Sequence, residues 1–327
     1  MGIASTPDHI AIPMRTLGRT GLNISAFALG TVELGLDYGI NAPGHGGRPA
    51  QEDAIRLVHR ALDAGINLID TARAYGTSEE ILGVALKDRR DQVVIATKTG
   101  TQATGGVPLT GDDLRRHMLA SLEQSLTALQ TDYVDIWQIH NVDRSVINEA
   151  EVVAEVFDDM RSKGYVRFTG GSFYGTDFPV QALALNIFDV MQITYSILDQ
   201  RLTDQFFPLA ITANVGIFAR SVLLKGALTE RAEHLPGHLN ELRLRSRAVR
   251  EIIAANKLGA TAAQTAIAFA LAQPAIHAVL IGISSEEELR SNLRSLSLEL
   301  SPTMLEQLAS LRLDDPDLLN PGTWGIP

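Results

Sequence analysis

Eight short apolar runs recur along the chain with helix-length segments between them, and this alternation restricts the fold more than any other feature. The runs are Ser25–Gly30, Leu68–Asp70, Val93–Thr97, Val134–Ile139, Val166–Gly170, Val190–Ile193, Val215–Ala219 and Ala278–Ile281. They are apolar at nearly every position rather than at every second one, as parallel strands covered on both faces should be. Between them, Glu52–Ala64, Asp112–Leu129, Glu149–Lys163, Arg243–Leu258, Thr261–Gln273 and Ser285–Leu296 carry apolar residues at the three- and four-residue spacing of amphipathic helices. In the second of these the stripe is Leu114, Met118, Leu122, Leu126 and Leu129, with Thr110 or Asp112 available as a cap. Eight strands alternating with helices predict one (β/α)8 TIM barrel across residues 1–327. Upstream, MRTLGRTGLNIS has turn residues from Gly18 to Gly21 and predicts an N-terminal β-hairpin. The competing fold, an open doubly wound sheet, carries a glycine-rich dinucleotide turn after its first strand. Gly30-Thr31-Val32-Glu33-Leu34-Gly35 is not that turn.

Two segments break the rhythm. Residues 36–51 (LDYGINAPGHGGRPAQ) are too long for an idle connection. The tail, residues 314–327, has three prolines and a tryptophan without periodicity. The chain has no cysteine, which excludes disulfides, thiolate nucleophiles, zinc–thiolate sites and iron–sulfur clusters. Its net charge of −10 argues against a nucleic-acid or anionic-membrane partner. There is no apolar signal core near the start and no apolar run long enough to span a bilayer. The expectation is a soluble cytoplasmic protein with no membrane partner and no metal.

Catalytic groups in such barrels come from the carboxyl ends of the strands and the loops that follow. Asp70 ends the second run, Lys98 follows the third, His140 ends the fourth, and Tyr75 lies in the loop TARAYGTSEE. Taken singly, each has a plainer reading: a cap, a lysine reaching solvent, a structural imidazole, a packing ring. Together on one face they form a proton-transfer site. A phenol holds its proton too firmly for easy exchange at neutral pH. An ammonium ion beside it favours the phenolate. Lys98 would act so on Tyr75 if Asp70 held it in place, while His140 oriented a substrate oxygen or shared the proton. Such a site supplies no reductant, and a nicotinamide cofactor is the natural source of hydride.

These segments resemble the aldo-keto reductase family. LIDTARAYGTSEEILGVAL (68–86) is similar to the family signature around its catalytic Asp and Tyr, IATKTG to that around its Lys, and DYVDIWQIHNVD to that around its His. Later segments, GYVRFTGGSFYG, VMQITYSILD, GIFARSVLLKGALT and VLIGISSEEELRSNL, extend the likeness over nearly the whole chain. The resemblance implies a tetrad of Asp70, Tyr75, Lys98 and His140 and an extended nicotinamide dinucleotide across the barrel mouth. It implies Ser172 and Gln192 at the carboxamide, with Gly30, Thr31 and Asp70 near the nicotinamide ribose. Ser221 and Leu223 would lie along the pyrophosphate, with Gly282, Ser284, Glu288 and Asn292 around the adenosine half. NADP is the family default.

Three departures stand out. Phe173 replaces the usual Asn. Arg220 stands where many members stack an aromatic ring on the nicotinamide, and a planar guanidinium can also stack. Ser284 and Glu288 occupy positions where NADP-specific members often carry Arg, Lys or Gln. A phosphate wants cationic partners, so NAD is a serious alternative unless Arg290 or Arg294 compensates. Substrate contacts are expected from Tyr38 and His45 in the insertion and from Trp324 in the tail; Trp137 is a further candidate, with packing as its plainer role. The implied function is hydride exchange between a nicotinamide and a small carbonyl or alcohol, with Tyr75 as general acid or base. Two alternatives stay open: a cofactor-binding regulatory barrel with little turnover, and a Schiff-base enzyme using Lys98 as nucleophile. Substrate, direction and oligomeric state are not written in the sequence.

Overall fold

All eight apolar runs become parallel strands. The computed structural model describes residues 10–40 and 47–326. After an antiparallel hairpin, β1 (Met14–Thr16) and β2 (Asn23–Ser25), come β3 (Phe27–Gly30), β4 (Leu68–Asp70), β5 (Val94–Thr99), β6 (Val134–Ile139), β7 (Val166–Ser172), β8 (Val190–Thr194), β9 (Gly216–Arg220) and β10 (Ala278–Gly282). The eight pair in sequence order, and β10 closes on β3 to complete a (β/α)8 barrel.

The hairpin plugs the amino end. Leu17, Leu22 and Ile24 pack with Ala28, Ile136 and Phe218 in the inner core. The turn docks through Arg19, which bonds Asn186, Asp189 and the Phe188 carbonyl. Gly18 is required there: a Cβ would lie 2.6 Å from the Asn214 carbonyl oxygen, and its φ is +45°.

Along each strand, side chains alternate between barrel interior and helix layer. On β6, Ile136 joins the inner core, while Trp137 and Ile139 belong to the outer core under the helices. Trp137 is fully buried and meets Phe157 edge-on at 5.4 Å. It therefore points away from the mouth, and its expected substrate role gives way to packing. Trp137→Phe should destabilise by about 1–3 kcal/mol in urea melts without changing dinucleotide affinity.

The helices Gln51–Asp63, Gly111–Leu129, Ala150–Ser162, Asn240–Ala255, Ala262–Leu271 and Glu286–Leu293 follow the periodic segments closely. Ser78–Ala85, Pro179–Leu185 and Phe206–Thr212 are also helical. At about two turns they are too short for periodicity to mark. Thr110 stands at the N-cap of Gly111–Leu129, but its side chain makes no capping bond. The Gly111 N–H instead donates to Glu149 Oε2 at 2.9 Å, a partner from the next helical segment. The tail is ordered by two short turns, Pro316–Leu319 and Pro321–Thr323. Among the described residues, no helix is long and apolar enough to cross a membrane.

Candidate active site

Asp70 ends β4, Lys98 lies near the end of the neighbouring β5, and His140 follows β6. Adjacent parallel strands thus deliver three polar side chains to one rim. Lys98 is 1% exposed, and its ammonium has three acceptors for its three protons. It donates to Asp70 Oδ2 at 2.6 Å, the Thr71 carbonyl at 2.9 Å and Tyr75 Oη at 3.3 Å. The other carboxylate oxygen of Asp70 accepts from Gln192 Nε2 at 2.7 Å and Gln138 Nε2 at 3.3 Å. The buried ion pair is therefore fully hydrogen-bonded, the condition under which burial of charge is tolerated.

Tyr75 comes from the loop after β4, which hydroxyl groups tie down. Ser78 Oγ shares a bond with Thr71 Oγ1 at 2.9 Å and donates to Thr31 Oγ1 at 2.7 Å. Thr31 Oγ1 donates in turn to the Asp70 carbonyl at 3.0 Å. The Tyr75 ring lies 4.8 Å from the Lys98 ammonium and edge-on to His140 at 5.4 Å. Burial first, then the Lys98 and Arg220 cations, pushes His140 down to about 3. The imidazole is therefore neutral at physiological pH, able to orient an oxygen but not to act as a cationic acid. The four residues named from sequence thus meet at one point. A phenol beside a held ammonium, with a neutral imidazole alongside, is equipped to exchange a proton with a substrate oxygen.

From this point a cavity of about 590 Å³ runs along the rim to Ser284, Glu288 and Asn292. Gly30, Thr31, Gln192, Arg220, Ser221, Leu223 and Gly282 also line it. Ser172 lies behind the wall, fully buried, and accepts a bond from Arg220 Nη1 at 2.8 Å. The Arg220 guanidinium stacks on Tyr174 at 3.7 Å. After β9 the backbone enters the left-handed region at Ser221 (φ 57°), Leu224 (46°) and Lys225 (55°). Three such residues within five positions carry strain of the kind concentrated at functional sites. Changes of backbone handedness of this kind turn successive N–H groups to one side and favour an anion. A long cavity with that loop on one wall and a proton-transfer site at its end suits a phosphate-bearing redox cofactor.

Tyr38 lines the cavity. His45 lies outside the described residues. Trp324 does not line the cavity: it is 2% exposed, packs in the outer core, and donates its indole N–H to the Asp317 carbonyl. From the cavity wall, Lys225 Nζ donates to the Ile326 carbonyl of the tail at 2.7 Å. Arg290 projects on the exposed side of its helix toward Glu286 and not into the cavity.

Gln138, Glu33 and Arg231 are among the lining or supporting residues that escaped the sequence reading. Gln138 carried a signal, since it lies two positions before His140 on an alternating strand and so shares its inward face. Glu33 sat in a glycine-flanked turn read only for what it was not. Arg231 carried none: it lies in an irregular connection and pairs with Glu288 at 2.6 Å across the cavity wall.

Comparison with known proteins adds a family. The model described as "Aldo/keto reductase family" matches residues 27–312. The chain is 28% identical to the L-galactose dehydrogenase of Arabidopsis thaliana, over 94% of this chain and 92% of that one. It is also 28% identical to the uncharacterized oxidoreductase YqkF of Bacillus subtilis, over 86% and 90% of the two chains. Among solved structures it superimposes on the holo form of the aldo-keto reductase AKR11C1 from Bacillus halodurans with a TM-score of 0.76. That match has 25% identity and covers 92% of this chain and 96% of the other.

Proposed function

Because the chain belongs to the aldo/keto reductase family, we propose that it interconverts a small carbonyl compound and its alcohol with a nicotinamide dinucleotide held along the cavity. The reading rests above all on the Lys98 ammonium, 2.6 Å from Asp70 and 3.3 Å from Tyr75 at the end of that cavity. When bound, the nicotinamide supplies the hydride in reduction and receives it in oxidation.

The protein's own residues handle the proton. In reduction Tyr75 Oη gives its proton to the oxygen that becomes the alcohol; in oxidation it takes that proton back. The Lys98 ammonium lies beside the oxygen that gives up the proton, and Asp70 holds Lys98 aimed at it. Neutral His140 holds the substrate oxygen. Gln192 would meet the carboxamide, with Ser172 behind the wall holding Arg220, and Gly30 and Thr31 would meet the nearby ribose. Ser221 and Leu223 would flank the pyrophosphate, with Arg220 against the nicotinamide. Gly282, Ser284, Glu288 and Asn292 would surround the adenosine. Lys98 is poorly suited to a Schiff base, since an amine with all three protons engaged and 1% exposure cannot reach a carbonyl.

NADP is usual in the family, yet this cavity favours NAD. Glu288 Oε2 accepts from the Ser284 N–H at 2.8 Å and Oγ at 2.9 Å, and its other oxygen accepts from Arg231. The protein's own carboxylate thus occupies the helix N-terminus that would otherwise receive a 2′-phosphate. A phosphate would meet like charge and compete for donors already engaged. NADH is expected to bind on the order of tenfold or more tightly than NADPH. Fluorescence titration with each measures this. Steady-state assays of the purified protein with aldehydes, alcohols and aldoses then test the reaction; aldoses are included because of the Arabidopsis relative. Cofactor binding without turnover of any substrate would favour a regulatory barrel instead.

A further inference from the structure

The carboxyl group of Glu33 lines the cavity and is left unused by this reaction. Glu33 sits in the helical turn Val32–Gly35 directly after β3. Its carboxyl lies over the Cα of Gly282, so close that a Cβ there would fall 1.5 Å from Oε2 and 2.3 Å from Cδ. Oε2 is shielded from solvent and has no hydrogen-bond partner, while the side chain lines the cavity. Among the described residues, the charged or titratable groups that face it are Glu288 of the helix Glu286–Leu293, Arg231 of the turn Glu230–His234, and Tyr38 further along its own loop. Arg231 Nη2 is directed to Glu288.

We propose that Glu33 meets the phosphate–ribose portion of the bound dinucleotide as a neutral carboxyl, so that binding takes up a proton. The proposal rests on the reading that this cavity holds a nicotinamide dinucleotide. A carboxylate with one oxygen shielded from water and lacking a donor is disfavoured, and a protonated carboxyl offers an O–H to a phosphate or ribose oxygen. Burial, reinforced by Glu288 and only partly opposed by Arg231, already raises Glu33 to about 7. The negative charges of a pyrophosphate push ionisation higher still. Well below pH 7 the proton is already in place and binding needs none. Above pH 7 Glu33 is ionised in the empty cavity and must be protonated as the dinucleotide enters. Affinity is therefore flat at low pH and declines as pH rises through 7.

Titration calorimetry of the intact protein with NADH, in two buffers of different ionisation enthalpy, counts the protons directly. Uptake should be near zero at pH 6 and approach roughly one per dinucleotide at pH 8. Over the same interval the Kd from fluorescence should rise on the order of tenfold. In Glu33→Gln the uptake should vanish and Kd should vary by no more than about twofold. In Glu288→Gln, with one negative neighbour removed, the midpoint should move to lower pH. Wild-type uptake below about 0.3 proton at pH 8 overturns the proposal, as does a Gln variant that keeps the pH dependence. Binding that is tight but independent of pH sinks the Glu33 role alone. Failure of both NADH and NADPH to bind at any pH sinks the reading of the cavity, and this inference with it.

Discussion

Tyr75→Phe is expected to lower kcat/KM for carbonyl reduction by about 10²–10⁴. The substitution keeps the ring, and with it the edge contact to His140 and the position over the Lys98 ammonium. It removes only the oxygen that carries the proton. Dinucleotide affinity should therefore stay within about threefold of wild type, and the loss should fall mainly on kcat. Steady-state kinetics alongside a fluorescence titration separates the two effects. Activity within a few-fold of wild type would remove Tyr75 from the reaction and leave the proton without a carrier.

Lys98→Met should damage stability and catalysis together. Asp70, 3% exposed, would keep its two glutamine amides and lose its counter-ion. Removing one member of a buried pair costs about 3–5 kcal/mol, because the surviving charge is left uncompensated. The Tyr75 hydroxyl would lose the cation that stabilises its ionised form, so activity should also fall by about 10² or more. The double variant Lys98→Met/Asp70→Leu separates these effects. It should recover most of the stability in urea unfolding, since no lone charge remains, and recover no activity. A double variant as unstable as the single one would show that the pair matters for packing and not for charge balance.

Residues 68–98 show how much a sequence can carry. Asp70 and Lys98 were legible because strand ends in a parallel barrel share one rim, so position along a run implies position in space. Tyr75 was legible from its place in the loop just after the second run, and the family resemblance of that loop supported it. The hairpin was readable from local turn chemistry, yet its place as a plug under the barrel was not. That depends on Leu17, Leu22 and Ile24 meeting side chains from strands tens to hundreds of residues away. The two tryptophans show the converse error. A large aromatic near the mouth in sequence looks like a substrate wall, but strand alternation turns Trp137 outward and Trp324 packs in the outer core.

What the sequence by itself determined is what repeats at short range: strand and helix periodicity, their order, and so the closed barrel with its reactive rim. Local sterics and the burial of apolar faces set those properties, and both act over a few residues. What only the tertiary structure decided is electrostatic company. Asp70 acquires Gln138 and Gln192, Glu288 acquires Arg231, and Glu33 is left beside Glu288 with an oxygen that nothing satisfies. Charges and hydrogen bonds act through space rather than along the chain, and inside a protein their strength depends on water being excluded by elements distant in sequence.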